Sequence, residues 1–306
     1  MSKKIIFMGT PEFSVPTLEA LYKSNYNIEC VYSQPPKKSS RGQKVNSSAI
    51  QTASERLGIK VRNPLNLNSN EEYEYFKSLK PYLVIVVAYG KIIPKKYLNL
   101  SKKGFLNIHA SLLPRWRGPA PIQRSIMNRD RTTGISFMKI EEGLDEGPFC
   151  KQIEVNIDEQ TTSGQLTEKL SILGSENIIK CLDEISKDQL EFINQDHSKA
   201  TYSKKITKKE SKINWQMPAN DIIAKINGLN PSPCAWFNLD DVRCKVWKAV
   251  ISNLSGREGE IMDDNLTIAC KEKSIKVLEI QREGKKKMTT KNFLSGIKIK
   301  KGKIII

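Results

Sequence analysis

The run Leu83-Val84-Ile85-Val86-Val87-Ala88 carries no polar residue over six positions, so an extended chain there is apolar on both faces. A strand buried on two sides needs a layer above it and a layer below it, and helices that return the chain to parallel neighbours supply those layers. This segment therefore argues for a central parallel strand in an α/β sheet and against an antiparallel sheet with one wet face. It is also far short of the roughly 20 apolar residues of a membrane-spanning helix, and no other run approaches that length.

The flanking sequence has the alternation such a sheet needs. Ile5-Ile6-Phe7-Met8 reads as a first buried strand and Gly9-Thr10-Pro11 as the turn after it. Pro11 or Pro16 suits a helix start, with Leu18, Leu21 and Tyr22 on one stripe. A second strand is expected over 28–32, helices over 47–57 and 71–79, and further strands over 105–109, 135–140 and 149–155. From Thr161 a helix carrying Leu166, Leu170, Leu173, Ile178, Ile179, Leu182 and Ile185 closes the series, with Gly174 as a candidate break. Strand, helix, strand in this order predicts an α/β fold with a doubly wound, mostly parallel, Rossmann-like sheet. Beyond residue 200 the pattern changes to short apolar runs between turns, over 235–237, 244–247, 266–269 and 275–278, with one short helix over 219–226. Close-spaced short strands predict a smaller OB-like β-barrel. The expected organisation is an α/β domain over 1–188, a basic linker over 189–208 and a β-barrel domain over 209–306.

A chain of 306 residues accommodates two domains, and 39% hydrophobic residues against 27% charged give it material for real cores, which excludes a disordered or fibrous chain. The N-terminal nine residues have two lysines, but their apolar stretch is four residues long and runs into Gly-Thr-Pro, so no signal peptide is expected and the cytoplasm is the expected location. Six cysteines (30, 150, 181, 234, 244 and 270) contain no C-x-x-C pair, which fits dispersed reduced thiols; no structural zinc or other metal site is expected.

The formal charge is +17, from 50 Lys and Arg against 33 Asp and Glu. Lys outnumbers Arg 39 to 11 in a chain also rich in Ile and Asn, so part of the excess reflects nucleotide bias, and charge alone says little about a partner. Its distribution says more. Residues 201–306 hold 22 basic and 11 acidic side chains, two-thirds of the excess on one-third of the chain. Arg115, Arg117, Arg124, Arg129 and Arg131 fall within 17 residues, and the planar guanidinium fork matches phosphate and carboxylate. The stretch Ser33 to Lys44 is long for an α/β connection and carries Lys37, Lys38, Arg41 and Lys44 with no acid, which marks it as functional or mobile.

The sharpest local feature is Asn107-Ile108-His109-Ala110-Ser111-Leu112-Leu113-Pro114-Arg115-Trp116-Arg117-Gly118. On a strand, residues two apart share a face, so an Asn107 amide and a His109 imidazole project together, Cα atoms about 6.5 Å apart, while Ile108 faces the core. They fall at the carboxyl end of a candidate sheet strand, where open α/β sheets bind ligands. The chain has one other histidine, His197, in the polar stretch Asn194-Gln195-Asp196-His197-Ser198, where exposure is expected. A single strand histidine is often a satisfied structural residue; the neighbouring amide and the Arg-rich loop favour a chemical role. A third piece, Glu141-Glu142-Gly143-Leu144-Asp145-Glu146-Gly147, is a glycine-bounded turn that can aim a carboxylate inward, and spacing does not choose between Asp145 and Glu146. Met8-Gly9-Thr10-Pro11 resembles a ligand-binding first turn but lacks G-x-G-x-x-G, so a dinucleotide is poorly supported.

Together these segments resemble the methionyl-tRNA formyltransferase family over nearly the whole chain. The resemblance rests on Phe7 to Ser14, Gln34-Pro35 through Arg41-Gly42, Val87 to Ile92, Asn107 to Gly118 with Pro121 to Arg124, and Gly143 to Gly147. It continues in Ala200-Thr201-Tyr202, Ile213-Asn214-Trp215, Asn230 to Trp236 and Glu283 to Met288, and these C-terminal matches separate the tRNA enzymes from other folate-dependent formyltransferases. The sequence departs from the family's pattern at Pro36, Tyr82, Pro119 and Cys234, the last where glycine is frequent.

The resemblance implies transfer of a formyl group from N10 of 10-formyltetrahydrofolate to the α-amine of methionine on initiator tRNA, with no metal. It implies Asn107, His109 and Asp145 as the catalytic set, and Ser111, Leu112, Leu113 and Pro114 along the folate pocket. Contacts to tRNA are expected from Arg41, Lys37, Lys38 and Lys44 in the long loop and from Lys204, Lys205 and Lys208 beyond the first domain. A monomer is expected.

Overall fold

The computed structural model describes residues 3–39, 44–297 and 299–305. Among these, contacts define two units. One comprises the chain up to Pro119 with Thr133–Val155 and Thr167–Ser203; the other comprises Ala120–Thr132, Asn156–Leu166 and the chain from Lys204 onward.

In chain order the first strands are β1 (Lys4–Gly9), β2 (Asn27–Tyr32), β3 (Lys37–Ser39), β4 (Lys44–Asn46), β5 (Val61–Arg62), β6 (Leu83–Val87), β7 (Phe105–His109), β8 (Thr132–Lys139) and β9 (Phe149–Asn156). The helices among and after them are α1 (Val15–Tyr22), α2 (Ala49–Arg56), α3 (Asn70–Ser78), α4 (Lys95–Leu98), α5 (Pro121–Met127) and α6 (Ser163–Ser186). Seven strands form one sheet in the order β5-β2-β1-β6-β7-β8-β9. Pairings from β5 through β7 are parallel, whereas β8 runs antiparallel to β7, so the expected mostly parallel α/β sheet has an antiparallel margin. Residues 83–87 of the apolar run are buried and lie between β1 and β7, as two-sided apolarity requires, whereas Ala88, expected to end the strand, is exposed at φ +48 beyond it.

The order reverses between β1 and β6, which opens a crevice at their carboxyl ends. That end is tied by side chains: Ser14 Oγ donates to the Val87 carbonyl at 2.7 Å, and Thr10 Oγ1 and Gln34 Nε2 donate to the Tyr89 carbonyl at 2.8 and 3.0 Å. On one face Phe76 stacks on Phe105 at 6.0 Å between centroids and meets Tyr97 edge-on at 5.0 Å. On the other face α6 runs unbroken through Gly174. A Cβ there would stand 3.4 Å from Ile108 Cγ2, so this glycine serves the close approach of helix to β7 and does not end the helix. The expected single loop from 33 to 44 contains the antiparallel pair β3 and β4.

Gly134 on β8 allows the tightest approach in this sheet. A Cβ would stand 2.0 Å from the Ile153 carbonyl oxygen and 2.7 Å from Leu112 Cδ2, and the backbone oxygen has no rotamer by which to yield. Gly134→Ala is expected to destabilise the protein by about 3 kcal/mol, seen as a lower denaturant midpoint. A midpoint equal to that of the parent would show that β8 shifts freely against β9.

The C-terminal unit contains α7 (Ala219–Gly228), β10 (Ala235–Leu239), β11 (Val242–Ser252), β12 (Thr267–Ala269), β13 (Ser274–Arg282), β14 (Met288–Thr289) and α8 (Thr290–Ser295). Its antiparallel sheet has the order β10-β11-β13-β12, with β14 on β13. Register shifts at Val246 to Ala249 bend the long β11, and the sheet curls into a half-barrel. Ile222, Ile226, Phe237, Val246, Val277 and Ile280 fill its interior, and Trp215 meets Phe237 edge-on at 5.6 Å. Cys234 is buried at φ +68, the left-handed region where glycine is easiest to accommodate. Helix α5 groups with this unit, with Gly228 of α7 set against Met127 and the Gln123 carbonyl. Two of the clustered arginines are spent here on protein carboxylates: Arg124 NH2 lies 3.1 Å from Glu210 Oε1 and Arg129 NH1 lies 3.2 Å from Asp221 Oδ1.

Candidate active site

Strand β7 supplies two polar side chains at its carboxyl end. Asn107 and His109 share a face by the two-residue repeat, opposite Met138 and Ser136 of β8. Asn107 is half-buried, and among the described residues its amide makes no hydrogen bond. His109 is 6% exposed and sits between two acceptors: Nε2 is 3.0 Å from the Trp116 carbonyl oxygen and Nδ1 is 3.6 Å from Asp145 Oδ2.

The glycine-bounded turn between β8 and β9 presents two acids, and the structure separates them. Asp145, at φ +52, turns its carboxylate inward, where Oδ2 faces His109 and accepts from the Gly118 amide at 2.8 Å. Glu146 turns to Arg117, with Oε1 3.4 Å from NH1. The choice that spacing left open is thus made by a main-chain donor: Gly118, at φ +111, has a backbone that aims its N–H at Asp145 and leaves only 3.0 Å between a would-be Cβ and the Ser203 carbonyl.

The loop from Ser111 to Gly118 is held from both sides. Ser111 is fully buried and its Oγ donates to the Arg115 carbonyl at 2.6 Å; Leu113 is buried, its N–H bound to Ser136 Oγ and its carbonyl to Gln152 Nε2. Leu112 and Pro114 retain partial exposure. Of the four residues expected along a folate pocket, two therefore shape the loop from within and two present surface. The Thr201 to Ser203 segment lies alongside: Trp116 N–H donates to Thr201 Oγ1 at 2.9 Å, Arg117 N–H to the Thr201 carbonyl at 2.9 Å, and Ser203 N–H to the Arg117 carbonyl at 2.7 Å.

Of the residues expected to meet tRNA, Arg41 lies outside the described residues. Lys37 and Lys38 fall on β3 and Lys44 on β4. Lys204, Lys205 and Lys208 are exposed, and the Lys204 carbonyl accepts from the Arg124 guanidinium at 2.9 and 3.0 Å. His197 is exposed, with Nδ1 3.4 Å from Arg117 NH1. All six cysteines are free; Cys150 and Cys181 bring their Sγ atoms to 3.8 Å. Among the described residues no group of three or more His, Cys, Asp or Glu side chains is placed to hold a metal ion, and no helix is long and apolar enough to cross a membrane.

An imidazole between a carboxylate and a carbonyl, beside an amide with no hydrogen bond among the described residues, is an arrangement chemically able to move a proton and to donate to an anionic oxygen. The class is that of the formyl transferases: the Formyl transferase family profile matches residues 3–182 and the Formyl transferase, C-terminal domain profile matches residues 205–298. A methionyl-tRNA formyltransferase of Pelagibacter ubique is 55% identical over 304 residues, covering 99% of this chain and 98% of that protein. The chain belongs to the methionyl-tRNA formyltransferase family. Among solved structures, the methionyl-tRNA formyltransferase from Clostridium thermocellum superposes with a TM-score of 0.57 at 17% identity, over 82% of this chain and 94% of that one. HypX from Aquifex aeolicus, solved in complex with tetrahydrofolic acid, gives 0.63 at 15% identity over 99% of this chain, which spans 50% of that longer protein. Both likenesses concern the fold.

Proposed function

We propose that this protein transfers the formyl group of 10-formyltetrahydrofolate to the α-amino group of methionyl initiator tRNA. The observation that carries the reading is the placement of His109 between the Asp145 carboxylate and the Trp116 carbonyl, beside an Asn107 amide that makes no hydrogen bond among the described residues, in a chain 55% identical along its length to a methionyl-tRNA formyltransferase.

The chemistry follows from the groups present. The α-amine attacks the formyl carbon, the carbonyl oxygen becomes an oxyanion in a tetrahedral intermediate, and the bond from carbon to N10 then breaks. The proton lost by the amine ends on N10. One imidazole serves both transfers, because the neutral ring accepts the proton of the amine and the ring so protonated gives it to N10. His109 must first exchange its Nε2 contact with the Trp116 carbonyl for the reacting nitrogen. The Ser203 hydroxyl stands nearby, 3.3 Å from that carbonyl and 3.1 Å from the Arg117 carbonyl, with one hydrogen to share between them. Asp145 orients the ring and stabilises its charged form during the transfer, and the Asn107 amide donates to the oxyanion.

The folate donor is assigned to the crevice beside the 111–114 loop, against Leu112 and Pro114, whose shape Ser111 and Leu113 maintain. The division of labour is a catalytic domain over 1–188, a linker over 189–208 and a tRNA-binding domain over 209–306, acting as a monomer in the cytoplasm. Lys37, Lys38, Arg41 and Lys44 address the acceptor end, while Lys204, Lys205 and Lys208 meet phosphates.

If six phosphates are neutralised, log K for methionyl initiator tRNA is expected to fall with log salt with a slope of about −4 to −5. An affinity independent of salt, or formyl transfer to a nucleotide-linked amino sugar in preference to the tRNA, would contradict the proposal.

A further inference from the structure

Gln195 takes no part in the chemistry above and lies in a stretch whose composition reads as solvated, yet it is only 5% exposed and every polar atom of its side chain is engaged. Its Oε1 accepts from Arg117 Nε at 3.0 Å, and its Nε2 donates to the carbonyls of Asp145 at 2.9 Å and Gly147 at 2.7 Å. The orientation of the amide is determined by its neighbours: a guanidinium only donates and a carbonyl only accepts, so the oxygen must face Arg117 and the nitrogen must face the turn.

Arg117 is an anchor fit for this purpose. It is 1% exposed, its main chain is bound on both sides to the Thr201 to Ser203 segment, and its NH1 lies 3.4 Å from Glu146 Oε1. On the other side of Gln195 stands a turn that needs holding. Asp145 has a left-handed backbone at φ +52, a conformation that Asp tolerates better than most non-glycine residues but that still needs a fixed turn to aim its carboxylate. Its carboxylate reaches both His109 and the Gly118 amide from that conformation.

We propose that Gln195, oriented by Arg117, is a positioning residue that fixes the 143–147 turn and so keeps the Asp145 carboxylate on His109. The segment after α6 then does more than join two domains: it supplies the clamp that completes the catalytic set. This rests on the reading of Asp145 as the group that orients His109.

The test is a double-mutant cycle read in kcat and KM for formylation of methionyl initiator tRNA, using full-length wild type, Gln195→Leu, Asp145→Ala and the double variant. Leucine keeps most of the volume and none of the hydrogen bonds. Gln195→Leu is expected to lower kcat about 10- to 100-fold, the scale of a displacement near 1 Å in a reacting group, with KM for both substrates within about twofold. In the Asp145→Ala background the same change is expected to alter kcat by less than about twofold, because the contact it supports is already gone. Equal losses in both backgrounds would overturn the proposal and leave Gln195 a general structural residue, as would wild-type kcat in Gln195→Leu. Wild-type kcat in Asp145→Ala would instead remove the assignment of Asp145 itself, and the proposal with it. Should the leucine variant not fold, Gln195→Glu replaces it in the cycle. A carboxylate still accepts from Arg117 but cannot donate to the two carbonyls, and the same losses are expected.

Discussion

His109→Ala is expected to lower kcat for formyl transfer by 10²–10⁴-fold, the range for losing a positioned general acid and base, while tRNA affinity stays within about twofold. The size follows from the isolation of the group. The other histidine, His197, faces Arg117, and the acids nearest the reaction, Asp145 and Glu146, are committed to His109 with Gly118 and to Arg117. Among the described residues, His109 is the one imidazole beside the Asn107 amide and the Asp145 carboxylate. The substitution leaves a gap one imidazole wide at a buried position, so imidazole added to the assay is expected to restore part of the rate. Unchanged turnover in His109→Ala would show that the amine loses its proton to solvent and that the ring is structural.

Asn107→Ala is expected to cost 10²–10³-fold in kcat, about 3–4 kcal/mol of transition-state stabilisation, with folate and tRNA binding retained. A half-buried amide with no hydrogen bond to any described residue contributes little to folding, so its removal is expected to leave the melting temperature unchanged. That separation makes the variant informative: a rate defect without a stability defect marks a group whose partner forms during reaction. Asn107→Asp replaces the donor with an acceptor and is expected to be at least as impaired, since a carboxylate repels the developing oxyanion. Wild-type kcat in either variant would require another donor for the oxyanion and would remove Asn107 from the catalytic set.

Much of the frame was legible in the residues because it is written in burial. The run at 83–87 had to be a central strand, and the two-residue repeat of β7 put Asn107 and His109 on one face without reference to any partner. What stayed illegible depends on main-chain groups and on long-range pairing. Neither the Trp116 carbonyl nor the Gly118 amide has a sequence signature, so spacing leaves Asp145 and Glu146 alike; the family resemblance names Asp145, and the Gly118 N–H gives the physical reason. Gln195 carries no periodic signal: in a polar stretch, a buried amide and a solvated one read the same, and only its three hydrogen bonds distinguish it. Gly174 looked like a helix break because close packing against Ile108 is a tertiary reason for a glycine. Two clustered arginines suggested external phosphate or carboxylate; Arg124 and Arg129 found carboxylates within the protein. At Cys234, where glycine is frequent in the family, the structure supplies the reason in a left-handed backbone at φ +68.

The most direct measurement is transfer of labelled formyl from 10-formyltetrahydrofolate, followed in parallel on methionyl initiator tRNA and on the elongator species. Label is expected on the methionine α-amine of the initiator tRNA, with little on the elongator, and the initiator signal is expected to be lost in His109→Ala. Absence of label on the initiator tRNA, or an undiminished signal in His109→Ala, would contradict the account.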